Sequence, residues 1–84
     1  MVNKTGGNIR EIRIEQTESV KQILVWAGIA KVLSEAGFWL TSKEVTINGV
    51  ICRKTTELNP VLIGNKGIMI QVHGKDAVKV LPKE

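Results

Sequence analysis

An α+β fold, two short helices packed on a small antiparallel sheet of four to five strands, is predicted by three features of this 84-residue chain. Apolar residues recur at helical spacing between Val20 and Leu40. Beyond Thr41 the period changes to two, the period of strands. Asn48-Gly49, flanked by alternating apolar residues, is the strongest short hairpin signal a sequence carries. A chain of this size buries only about 60% of its unfolded surface, so a thin core is expected and no catalytic body with its own lid or cofactor fold.

The elements follow in order. Residues 1–10, with Gly6-Gly7-Asn8, are expected to be a flexible tail or the boundary of a longer chain, and 11–84 a single domain. Ile12 and Ile14 alternate with Glu11, Arg13 and Glu15, as in a half-buried strand at a sheet edge. Ser19 followed by Gln22 fits a capping box, with Val20, Ile23, Leu24 and Ala27 as the buried stripe and Gly28 as a left-handed cap. A second helix is expected about three residues on, with Val32, Leu33, Ala36, Trp39 and Leu40 inward and Lys31, Ser34 and Glu35 outward.

The Asn48-Gly49 turn pairs Ile47 with Val50 and Val45 with Cys52, which gives that hairpin one wholly apolar face. After a link around Asn59-Pro60, the branched run Val61-Leu62-Ile63 reads as a strand. Ile68 to Val72 forms a further strand that turns at Gly74-Lys75, as a type II′ turn, and returns through Ala77 to Leu81.

Twelve Lys and Arg against eight Asp and Glu give a net charge of +4, a mild bias toward polyanionic partners. Most of it lies in the sheet half, where residues 43–84 hold seven cations and four anions. Cys52 is alone and His73 is the one histidine, so neither an internal disulfide nor a structural zinc site is expected, and no cofactor. This cysteine usage fits a reducing compartment: the cytoplasm, with the mitochondrial matrix as the alternative. The longest apolar stretch, Ile23 to Ala30, is eight residues, far short of a membrane span.

Cys52, His73 and Asp76 are the candidates for a nucleophile, a base and an orienting group. Cys52 falls on the apolar hairpin face and His73 and Asp76 flank a turn, so a core thiol and two solvated side chains are expected, and no catalysis. Glu11, Glu15 and Glu18 read as solvated charge. Gly64-Asn65-Lys66-Gly67 matches the four-residue loop that clamps a nucleic-acid backbone between two helices, but apolar strand-like runs flank it here, so a plain turn is expected. Trp26, Phe38 and Trp39 all fall on helices, which argues against bases stacking on the sheet. Trp39 is expected in the core, Trp26 and Phe38 at the helix flanks.

Val20 to Ala30, then Ser34-Glu35-Ala36, then Val45-Thr46-Ile47-Asn48-Gly49 resemble the RNA-binding domain first known from ribosomal small-subunit protein four, here called S-four-like, of the alpha-L type. The resemblance runs from about Ser19 to Val80. The stretch from Leu62 to Lys75 looks like the last hairpin of the C-terminal tRNA-binding domain of bacterial and mitochondrial tyrosyl-tRNA synthetases. The resemblance implies a non-catalytic domain, appended to a tyrosyl-tRNA synthetase, that grips structured RNA, tRNA first, by phosphate contacts. It also implies one alternative, a free-standing S-four-like protein on ribosomal RNA or ribosomal particles; exposure of the helix-flank aromatics offers another, a docking module that has lost RNA binding and uses Trp26, Phe38 and Ile51 on a partner or on a parent catalytic domain.

The residues carried over as RNA contacts are Lys31, Ser34, Lys43, Arg53, Lys54 and Lys75. Three family positions differ. Gly37-Phe38 stands where the second helix usually carries cations, Val72-His73 where a basic pair precedes the last Gly-Lys, and Val32-Leu33 where a polar cap and a cation are common.

Overall fold

The computed structural model describes residues 9–74 and 76–83. Strand β1 (Ile9–Ile14) leads into a two-residue strand β2 (Glu18–Ser19) and helix α1 (Val20–Trp26). Helix α2 (Leu33–Thr41) is followed by β3 (Val45–Ile47), β4 (Val50–Ile51) and β5 (Glu57–Leu58). A four-residue helix α3 (Pro60–Ile63) then precedes β6 (Ile68–Val72) and β7 (Asp76–Pro82). The fold is α+β.

The five-stranded sheet has the order β1-β7-β6-β3-β4. It is mixed and not purely antiparallel, because β1 runs parallel to β7 from Ile9↔Ala77 to Ile14↔Pro82. β3 and β1 point the same way, and α1 and α2 carry the chain across the two strand positions that the β6–β7 hairpin fills. This is a split crossover, in which the helices cover one face of the sheet. Cross-strand partners make that face apolar: Ile12↔Val80, Ile68↔Val80, Ile70↔Val78, Val45↔Val72 and Ile47↔Ile70. Ile23, Leu24, Ile70, Val72, Val78 and Val80 are fully buried in the single core beneath the helices.

The strand begins at Ile9, so Ile9 and Arg10, which the sequence reading leaves in the tail, are paired with β7. Residues 1–8 lie outside the described residues.

Ser19 caps α1 as expected, its Oγ accepting from Gln22 N–H at 3.2 Å. Gly28, at φ +78°, closes that helix: its N–H donates to the Val25 carbonyl and Ile29 N–H to that of Leu24. The same pair of bonds ends α2, from Lys43 N–H to Leu40 and Glu44 N–H to Trp39, but there a lysine occupies the left-handed position at φ 63°. The helices are separated by residues 27–32, twice the expected link. Val32 and Leu33 stand exposed where inward positions were expected, because that longer link starts α2 at the rim of the core.

Asn48 and Gly49 both take positive φ, and β3 and β4 pair Ile47 with Val50 as expected. Val45 and Cys52 are buried, but Val50 is 69% exposed at the sheet edge, so the apolar face of this hairpin is only half covered. Val61-Leu62-Ile63 is helical and not a strand. Asn59 accepts from Val61 N–H at 2.8 Å and Pro60 takes the first helical position, a start signal that overrides the branched side chains. The left-handed pair of the last turn is His73-Gly74, one residue earlier than expected, with Val72 facing Asp76 across it.

Candidate nucleic-acid interface

The outer surface of α2, the start of α1 and the 52–56 turn enclose a groove of about 420 Å3. Its position follows from two short contacts. β2 and β5 pair Glu18 with Leu58 and Ser19 with Glu57, and Val20 N–H donates to the Thr56 carbonyl at 3.1 Å. Thr56 also closes the turn, its N–H donating to the Arg53 carbonyl while its Oγ1 accepts from Arg53 N–H. The start of α1 is thereby held against the turn whose tip is Lys54.

Lys21 and Lys54 consequently converge on α2 at Gly37. A Cβ at Gly37 would lie 3.4 Å from Lys21 Cδ and 3.6 Å from Lys54 Cε. Glycine in a helix interior costs about 1 kcal/mol relative to alanine, and here it leaves the flat floor over which both side chains extend. Ser34, Phe38 and Thr41 share this face of α2 at positions i, i+4 and i+7 and also line the groove. A second depression shares Lys21, Leu33 and Lys54 and continues to Glu57, the one carboxylate that either lining includes. Neither Lys21 nor Lys54 forms an ion pair among the described residues, where Arg13 pairs with Glu11 and Lys83 with Glu15.

Of the residues carried over by resemblance, Ser34 and Lys54 line the groove. Lys31 stands exposed just before α2, where Glu35 reaches back to accept from its backbone N–H at 2.8 Å. No side chain caps α2 at Val32 itself. Arg53 adjoins Lys54 but does not line the groove, and Lys43 caps the opposite end of α2. Lys75 lies outside the described residues. Lys21 and Thr41 are the polar groove residues that sequence reasoning missed; the signal available for Lys21 was the mid-helix glycine, which marks a close approach by a neighbouring element.

The aromatics fall as the helical spacing implies for Trp26 and Phe38, both more than half exposed, while Trp39 is partly buried against the core. Trp39 also meets the His73 ring edge-on at 5.0 Å between centroids. His73 is not simply solvated: its Nδ1 pairs with the Glu44 carboxylate, and its backbone N–H donates to the Glu44 carbonyl. Cys52 is buried as expected, with its thiol against the Val45 carbonyl at 3.5 Å. Burial pushes that thiol above its usual range, which makes it a poor nucleophile.

Gly64 and Gly67 both take positive φ, and Gly67 N–H donates to the Gly64 carbonyl at 3.1 Å, so the four-residue motif is a closed turn between a helical turn and a strand. No group of three His, Cys, Asp or Glu side chains suited to a metal, and no helix long and apolar enough to cross a membrane, occurs among the described residues. No family model matches the chain, and a search of curated proteins finds no match.

Proposed function

We propose that this domain binds structured RNA by phosphate contacts, with the groove over Gly37 as its anchor for the backbone. The observation that carries this reading is the convergence of Lys21 and Lys54, neither in an ion pair among the described residues, on a helix face that also offers the Ser34 and Thr41 hydroxyls. Ammonium and hydroxyl groups bind phosphate oxygens without reading bases. In the S-four-like family that the sequence resembles, cations stand on the second helix at the positions of Gly37 and Phe38. Here glycine makes room for cations from two neighbouring elements, which return positive charge to that surface. Transfer RNA is the first RNA to test, in the setting of a C-terminal domain appended to a tyrosyl-tRNA synthetase, because the 62–75 stretch resembles that domain.

The test is a titration of fluorescently labelled tRNA and of an unrelated structured RNA of equal length, at about 50 and 200 mM salt. Lys21→Ala/Lys54→Ala is expected to weaken binding and to make the salt slope shallower by about two, one per lost phosphate contact. Lys66→Ala/Lys79→Ala removes the same charge away from the groove and should weaken binding far less. Equal losses in the two variants would mean that net charge and not the groove governs binding. Absence of binding by the unsubstituted domain at low salt would remove the RNA reading and leave protein docking.

A further inference from the structure

We propose that the groove takes an unstacked nucleotide, with its phosphate at Lys21 and Lys54 and its base on the ring of Phe38; this rests on the RNA reading above and names the RNA feature it selects. Phe38 is 66% exposed, too open to contribute to the core, yet it lines the same groove as the two lysines. Leu33, 47% exposed, lines that groove too and adds a second apolar surface. A purely phosphate-binding surface has no use for an exposed aromatic in the same groove as its cations, whereas a flipped-out nucleotide presents an anion and a flat apolar ring a short distance apart.

The volume of about 420 Å3 falls within the range of small-ligand clefts, which begins near 300 Å3. Gly37 supports the same geometry: a side chain larger than a methyl group there would enter the space that the Lys21 and Lys54 stems cross. The strands carry no aromatic side chain, and of the two exposed aromatics, Trp26 and Phe38, it is Phe38 that lines the groove. A regular duplex keeps its bases stacked inside and offers Phe38 no partner, and the feature selected is therefore a bulged, looped or terminal nucleotide.

Three synthetic RNA hairpins test this: an uninterrupted stem, the same stem with one bulged adenosine, and the same stem with an abasic ribose-phosphate at the bulge. The last two carry equal charge, so the ratio of their affinities reports the base alone. The unsubstituted domain is expected to bind the adenosine bulge about 5- to 100-fold more tightly than the abasic one. Phe38→Ala should collapse that ratio to about one while leaving abasic-bulge affinity and its salt slope unchanged, and Phe38→Tyr should keep it. An equal affinity for both bulges, or a ratio that survives Phe38→Ala, overturns the proposal. Salt-dependent binding of all three hairpins with equal affinity overturns it while the phosphate reading stands; binding of none at low salt overturns both.

Discussion

Lys21 and Lys54 come from different elements and lie side by side over Gly37, whose missing side chain is the space they share. Gly37→Ala places a methyl group at ordinary contact distance from two flexible side-chain ends and improves helix propensity. It is expected to stabilise the domain by about 0.5–1 kcal/mol in urea unfolding. A larger residue, as in Gly37→Leu, should fill the groove and weaken RNA binding without unfolding the protein, which separates the two measurements.

Lys43 occupies the left-handed position that ends α2, with the same pair of backbone bonds that Gly28 makes at the end of α1. A side chain in that conformation costs about 1 kcal/mol. Lys43→Gly is therefore expected to raise stability slightly, by up to about 1 kcal/mol, and Gly28→Ala to lower it by about 1 kcal/mol. Thermal melts of both variants check the pair.

Gly67 ends the turn into β6 at φ +70°, and a Cβ there would stand 2.3 Å from the Val80 carbonyl oxygen on β7. Backbone cannot yield as a side-chain end can. Gly67→Ala is expected to cost about 2–4 kcal/mol, whereas Gly28→Ala, with nothing within 4 Å, should cost about 1 kcal/mol from its left-handed conformation alone. If the two variants proved equally unstable, the close approach of β6 to β7 would not be the cause.

The Cys52 thiol sits above its ordinary pKa of 9.0 because burial disfavours the thiolate. The folded pKa exceeds the unfolded one, so the stabilising difference is complete below about pH 9 and is lost as pH rises through the folded value. Stability of the native domain should therefore fall more steeply above pH 9 than that of Cys52→Val, with the two profiles parallel below it.

Ser19 satisfies an otherwise unpaired N–H at the start of α1 and lies in the ladder that sets Lys21 against Lys54. Ser19→Ala is expected to cost about 1 kcal/mol in urea unfolding. Because the β2–β5 ladder is made by backbone, RNA affinity in this variant should change little under conditions where it remains folded.

Local signals determined most of the elements. The Ser19 cap, the glycine that ends α1, the 3.6-residue stripe of Val20, Ile23 and Leu24, and the Asn48-Gly49 turn each depend on residues a few positions apart, so their physics is complete in the sequence. The α3 turn was equally local, in Asn59-Pro60, but the branched residues after it carry a competing strand preference that only the realised cap overrules.

Tertiary structure alone decided the rest. The pairing of β1 with β7 joins residues about seventy positions apart and depends on which sheet edge stays open after the β6–β7 hairpin inserts; no short-range pattern distinguishes a parallel from an antiparallel partner. The groove is of the same kind. Ser34 and Lys54 could be named from a resemblance, but the meeting of Lys21 with Lys54 over Gly37 required the β2–β5 ladder to bring two distant segments together. A charge can be read from sequence, whereas its distance to the next charge is set by packing.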